Sequence, residues 1–411
     1  MGFRVKVATM GDLIQRVINN LEERRNNLIN GNINSIPSPF RRFKNDFVGI
    51  EQGQYVVVTA PTKGSKSQFT NYMYVFTPIL YAYNNPSKID LKIIYFTLEE
   101  NADRIVQRFM SFLLNHLSNG RIRISPRDLR STSNENPLSE NILNILKSDQ
   151  YTKILNFFEK TVDFISDGCN PTGMYKICRD YALSQGEVIT KRVSYGEETF
   201  DKFDSYVPNN PKLYKLVITD HISLVEKERG FTDKQAIDKW SEYEVKYLRN
   251  RYGFTCIDIQ QQSFEGEGIE AQKMGKIEGS ISSLGDSKYT ARNANIVLGL
   301  FSPFKFELPQ YKGYDITKFK DNIRFLKVYV NRDGEMGGVC PLFFDGAVCQ
   351  FKELPRPDNK DELLKIYEYL KYIRNTSSKL FLSYKIKKRN NLHNTGVLSK
   401  FASIFNLIKF N

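Results

Sequence analysis

From Gly53 onward the chain is punctuated by seven short runs rich in β-branched and aromatic residues: Tyr55–Thr59, Lys92–Thr97, Leu216–Thr219, Thr255–Ile259, Ile296–Leu300, Phe325–Val330 and Cys340–Phe344. Most are apolar at consecutive rather than alternate positions, so the strands they form must be covered on both faces. Helix-length stretches separate most of them and can supply the crossovers that parallel strands require. The pattern predicts an α/β fold, a mostly parallel twisted sheet with helices on both faces. With 411 residues, 41% of them hydrophobic and 13% aromatic, the chain can build one large domain of this kind with appendages, or two domains.

The first run passes straight into Ala60-Pro61-Thr62-Lys63-Gly64-Ser65-Lys66-Ser67. A phosphate-binding loop reads G-x-x-x-x-G-K-[ST]: glycines let backbone N–H groups close around phosphates, the lysine reaches the β/γ-phosphates and the last hydroxyl holds Mg²⁺. Here Ala60 and Ser65 replace the glycines, Lys66 and Ser67 supply the charge and the hydroxyl, and Gly64, one place early, can relax the turn. Taken alone, the segment fits an ordinary strand-turn-helix connection as well.

Three further strand ends bear on the choice. Ile93–Thr97 leads to Leu98-Glu99-Glu100 and a helix with Arg104, Gln107 and Arg108. A carboxylate there, Glu99, can polarise an attacking water, while Glu100 reads as a solvated helix start favoured by the macrodipole. Leu216–Thr219 ends in Asp220, where nucleotide enzymes hold a carboxylate against the Mg²⁺ shell; the adjacent His221 reads as a packing residue. Thr255–Ile259 ends in Gln260-Gln261-Gln262, neutral groups suited to sensing a phosphate, to contacting DNA or to starting a loop.

The net charge of +13 points to a polyanionic partner, nucleic acid before a membrane surface. No apolar run is long enough for a membrane span, and Met1–Asn20 lacks the apolar stretch of a signal sequence, so a soluble protein of the cytoplasm is expected. Cys169, Cys178, Cys256, Cys340 and Cys349 match no zinc spacing and read as reduced core thiols. Met10, Leu13, Ile14, Val17, Ile18 and Leu21 form one stripe of an amphipathic helix over 9–28, with Thr9 and Asp12 at capping-box spacing and Gly31 beyond its end. The two-proline loop 32–46 follows, so the stripe can dock on its own core or elsewhere. Ser111 to Tyr214 is polar and reads as an elaborated helical crossover, broken by Pro126, Pro137, Pro171, Pro208 and Pro211. A helix over Asp361–Ile373 then leads to a basic tail in which Lys379–Asn411 has seven Lys/Arg and no acid. The expected division is residues 1–44 as a linker helix, 45–355 as the α/β domain with 111–214 as its crossover, and 356–411 as a basic extension.

The order of phosphate loop, strand-Glu, strand-Asp and strand-Gln resembles that of RecA-like replicative helicases of the DnaB type. Local phrases agree: Gly49–Tyr55 is similar to "G-L-x-x-G-x-L", and Phe96–Glu99 with Val106-Gln107-Arg108 to "F-S-L-E…Q-R". Asp220-His221-Ile222-Ser223 resembles the "D-H-I-S" of the phage primase-helicase branch. Asp286–Ile296 is similar to "E-S-G-x-I-E-Q-D-A-D", and Asn331-Arg332-Asp333-Gly334 to "H-R-N-G"; together these cover roughly residues 45 to 352.

The resemblance implies a RecA-like ATPase using ATP and Mg²⁺, with Lys66 as phosphate clamp, Ser67 and Asp220 at the metal, Glu99 as catalytic carboxylate and Gln261 as γ-phosphate sensor. Arg332 would reach into a neighbour's nucleotide, and Val330 stands where the family often has a second cation. It also implies a homo-oligomer, a hexameric ring in which the helix over 9–28 packs on the adjacent copy. Translocation on single-stranded DNA in the 5′-to-3′ direction is implied too, with priming or loading by a separate protein. DNA contacts are expected on Ser263–Leu284, with Lys273 and Lys276, and on Glu226–Asp233, with Lys227 and Arg229. The tail beyond Lys379 reads equally as a DNA or partner contact and as a solvated arm. The readings to be separated are a helicase, a degenerate RecA-like DNA-binding or accessory subunit with little ATP turnover, and a recombinase filament.

Overall fold

A computed structural model describes residues 10–41, 43, 48–133, 136–195, 198–263, 278–285 and 287–386. In chain order its main strands are β1 (Tyr55–Ala60), β2 (Asp90–Thr97), β3 (Val162–Ile165), β4 (Gly186–Tyr195), β5 (Glu198–Pro208), β6 (Leu213–Asp220), β7 (Thr255–Gln261), β8 (Ile296–Phe301), β9 (Ile323–Asn331), β10 (Val339–Asp345) and β11 (Gln350–Glu353). Among the described residues nine of these form one sheet in the order β11-β10-β9-β8-β1-β7-β6-β2-β3. The six from β8 to β3 are parallel, and β9, β10 and β11 extend the β8 edge as an antiparallel meander. All seven apolar runs lie in this sheet, as an α/β fold requires.

Alternation along each strand sends side chains into two cores. On one face Val56, Val58, Ile93, Tyr95, Leu216 and Ile218 pack under α2, α3 (Ala102–Leu117) and α4 (Asp149–Thr161). Here α2 is a helix running from Lys66–Thr70 through a π turn, Asn71–Phe76, into Thr77–Asn84. On the other, Tyr55, Val57, Ile94, Phe96 and Val217 pack under α5 (Pro171–Ser184), α6 (Asp233–Tyr243) with its π continuation Glu244–Arg249, and α7 (Tyr289–Asn293). A third cluster joins the meander to α8 (Lys360–Ile386), which extends past the predicted Asp361–Ile373. The five cysteines are buried and unbridged.

The crossover expected to be helical contains α4, α5 and two shorter helices, but also β3 and the hairpin of β4 and β5. The hairpin escapes a search for apolar runs because most of its surface meets water. Lys191 and Arg192 interrupt the apolar positions on β4, and Asp201, Lys202 and Asp204 those on β5. Strands β3 and β11 were missed because they are four-residue edge strands, too short to show a pattern.

The amino-terminal helix, α1 (Met10–Ile29), ends at Gly31, whose left-handed φ of 71° lets the Gly31 and Asn32 N–H groups bond back to Leu28 and Asn27. Thr9 lies outside the described residues. Arg24 pairs with Glu51 at 2.8 Å, fastening the end of the helix to the domain. Its apolar stripe, however, stays exposed on this chain, with Leu13, Ile14, Val17, Ile18 and Leu21 each at least two-fifths accessible (41%, 51%, 50%, 42% and 61%).

Candidate nucleotide site

Four adjacent strands, β1, β7, β6 and β2, end at the same edge of the sheet, because all are parallel and paired in register: Ala60 with Gln261, Asp220 with Ile259 and Thr97 with Asp220. The carboxyl edge of a parallel sheet is where such folds bind ligands. The segments leaving these tips hold Lys66, Ser67, Gln261, Asp220 and Glu99.

The loop leaving β1 turns tightly. The Gly64 N–H donates to the Pro61 carbonyl at 2.9 Å, and a Cβ on Gly64 would come within 2.6 Å of the Ala60 Cβ and 2.8 Å of the Pro61 oxygen, so a side chain has no room there. Lys63 and Ser65 are both left-handed, at φ 60° and 69°, a conformation that costs a non-glycine residue roughly 1–2 kcal/mol. Ser65 begins α2, and its carbonyl accepts from Phe69 N–H at 2.9 Å. No side chain caps this helix start, and Lys66 is buried in its first turn. The N–H groups and positive dipole end that result suit an anion.

Ser67 Oγ donates to Asp220 Oδ1 at 3.1 Å, and the Tyr95 hydroxyl lies 3.2 Å from Asp220 Oδ2 and 3.1 Å from Asn71 Oδ1. Burial, with the charge of Glu99 added, raises the Asp220 carboxyl to about 6, against the opposing hydrogen bonds from Ser67 and Tyr95 and the charge of Lys66. The Leu98 and Glu99 N–H groups donate to the Asp220 carbonyl at 2.9 and 3.1 Å, which ties the β2 exit to β6. The Glu99 carboxylate is exposed, 3.9 Å from His221 Nε2. Gln261 Nε2 donates to Thr62 Oγ1 at 2.6 Å, joining the β7 tip to the loop.

Glu100 is not the solvated helix start expected from its position. It makes a two-pronged ion pair with Arg108, one arm at 2.8 Å, because the next turns of α3 bring that guanidinium back over it. Sequence reasoning also missed Arg324, whose Nη2 donates to Ser65 Oγ at 3.1 Å, and Lys305, whose Nζ donates to the Thr62 carbonyl at 2.8 Å. Both come from strands or turns more than 200 residues downstream, and no local pattern marks them.

Arg332 is not brought to this loop. It follows β9, whose last residue Asn331 pairs with Ile296 at the level of Val56, the end of the sheet away from the loop. There Arg332 is exposed, its N–H donates to the Asn295 carbonyl at 3.0 Å and its guanidinium donates to the Arg292 carbonyl. Lys227 and Arg229 are exposed beyond β6, with Lys227 3.2 Å from Asp233. Their segment is anchored by Glu228, which accepts from Thr172 N–H at 3.1 Å and Lys239 Nζ at 2.5 Å. Lys273 and Lys276 lie outside the described residues. The two ends of their loop meet, with Ser263 N–H donating to Ser283 at 2.7 Å and Gly285 N–H to Gln261 at 3.0 Å.

No family model matches the sequence, and no curated protein matches it. Solved structures do. One solved ATPase domain superposes with a TM-score of 0.56 at 14% identity, over 85% of this chain and 100% of that one. A DnaB-like replicative helicase, described with its interactions with primase, superposes with a TM-score of 0.57 at 14% identity, over 85% of this chain and 68% of that one. No helix among the described residues is long and apolar enough to cross a membrane. At this identity the likeness is one of architecture, and it agrees with the strand order and the two helical layers: the chain has the RecA-like α/β fold of DnaB-like replicative helicase ATPase domains.

Proposed function

We propose that the chain is an ATP-dependent DNA helicase of the replicative ring type, coupling hydrolysis between subunits to movement along single-stranded DNA. The observation that carries this reading is the contact of Ser67 with Asp220 beneath the Ala60–Ser67 loop, with Lys66 beside it and Glu99 and Gln261 on the flanking strand tips. A hydroxyl and a buried carboxylate 3.1 Å apart, at a turn with no space for a side chain on Gly64, form a donor set that fits Mg²⁺ and a triphosphate.

Ser67 and Asp220 would hold the ion, which when bound offsets the negative charge of the phosphates. Lys66 and the N–H groups at the start of α2 bind the phosphates. The exposed carboxylate of Glu99 orients a water and accepts its proton. Gln261, bonded to Thr62 and followed two residues later by the Ser263–Leu284 loop, links the phosphate loop to a DNA-contacting segment. Lys227, Arg229, Lys273 and Lys276 contact the DNA backbone, in keeping with the charge of +13. The exposed stripe of α1 packs on a second copy in a hexameric ring, and Arg332 completes the neighbour's site, which its distance from its own loop supports. Movement is 5′ to 3′, with a separate primase or loader, in the cytoplasm of the cell that houses it.

ATP hydrolysis measured with and without single-stranded DNA tests the reading. Turnover stimulated by DNA, and lowered at least about 100-fold by Lys66→Ala and by Glu99→Gln, is expected. Absent turnover in the parent would leave the accessory-subunit reading, and turnover unchanged in both variants would remove this site from the chemistry.

A further inference from the structure

We infer that Arg324 is a positioning residue for the phosphate loop: its guanidinium holds Ser65 in the left-handed conformation that a glycine would adopt unaided. The inference rests on the proposed nucleotide site. Arg324 lies at the start of β9, only 2% exposed, with its guanidinium 4.5 Å from the centre of the Phe344 ring. Its Nη1 donates to the Asp321 and Ile323 carbonyls, both at 2.8 Å, and its Nη2 to Asp321 Oδ1 at 2.8 Å and Ser65 Oγ at 3.1 Å. Three of these four bonds fix the guanidinium within its own turn, so the fourth is delivered to Ser65 from a rigid support. Burying a guanidinium is costly, the more so here because Nε stays without a partner among the described residues, yet this one has been brought to the second loop position where G-x-x-x-x-G-K-[ST] has glycine.

Ser65 carries a Cβ at φ 69° and ψ 25°, the conformation that starts α2 directly before Lys66 and Ser67. A relaxed Ser65 would swing the first N–H groups of α2 and the Lys66 side chain away from the phosphates. The hydrogen bond therefore replaces, from a distant strand, what the missing glycine supplies by lacking a side chain.

The test is a cycle of Arg324→Met in the parent and in a Ser65→Gly background, with Ser65→Ala as a variant that keeps the Cβ and removes the acceptor. Dissociation constants for a fluorescent ATP analogue are one readout, and amide hydrogen exchange over Ala60–Ser67 without nucleotide is the other. Arg324→Met should weaken nucleotide binding and speed loop exchange about tenfold in the parent and have little further effect in the Ser65→Gly background. Ser65→Ala should likewise be about tenfold weaker than Ser65→Gly. Equal effects of Arg324→Met in both backgrounds would overturn the inference, as would Ser65→Ala matching Ser65→Gly if Arg324→Met does not fold. A parent that binds no nucleotide would sink the proposed function instead, and the exchange cycle would still decide the role of Arg324.

Discussion

Glu244 and Asp258 are fully buried neighbours behind β1, and the Tyr55 hydroxyl donates to Asp258 Oδ2 at 2.6 Å. Burial, reinforced by the charge of Asp258, pushes the Glu244 carboxyl well above the usual range, so Glu244 keeps its proton, and burial raises the Asp258 carboxyl too, against the hydrogen bonds made to it. A folded-state pKa above the unfolded one gives stability that is complete below the unfolded value and lost as pH rises through the folded value. Glu244→Gln keeps the shape and gives the otherwise unpaired Asp258 Oδ1 a permanent donor. It should raise stability by about 1–2 kcal/mol at alkaline pH and flatten the alkaline loss, as read by denaturant unfolding across pH. Gly64→Ala should cost at least about tenfold in nucleotide affinity, measured by titration, since the added methyl meets Ala60 and the Pro61 oxygen. Lys66, Ser67, Glu99, Asp220 and Gln261 were legible as candidates because each ends a strand or stands in the segment that leaves one. Arg324, Tyr95 and the Glu100–Arg108 pair were not, because their meaning depends on which distant or helical neighbour the fold sets beside them.

Elements were readable in proportion to how deeply they are buried. Five of the six parallel strands, β1, β2, β6, β7 and β8, announce themselves through apolar runs, whereas β4 and β5 present charged residues to water and were hidden in a polar stretch. The amphipathic period of α1 was plain, but period alone cannot say what covers the stripe. On this chain it stays open: Val17 is 50% and Leu21 61% exposed. Val17→Glu with Leu21→Glu should therefore leave the chain's own unfolding within about 0.5 kcal/mol of the parent, while shifting its mass in light scattering toward a single copy. A large loss of stability would instead mean that α1 docks on its own domain.

For the molecule as a whole, the decisive geometry is the separation of Arg332 from the loop of its own chain. If each site is completed by a neighbour, Lys66→Ala and Arg332→Ala should each be inactive alone. Mixed before assembly, they should regain ATP hydrolysis, because some interfaces then pair an intact Lys66 with an intact Arg332. No recovery in mixed oligomers would overturn completion of the site by a neighbour's Arg332. Strand β9 adds a consequence. It carries Arg324 at the end touching this chain's loop and Arg332 just past the other, roughly 25 Å away at about 3.3 Å per residue. In a ring, each copy of this strand would be a stiff strut between two successive nucleotides, so a tilt following phosphate release at one would be felt at the next. Timing around the circle would then be set by the rigidity of one nine-residue strand.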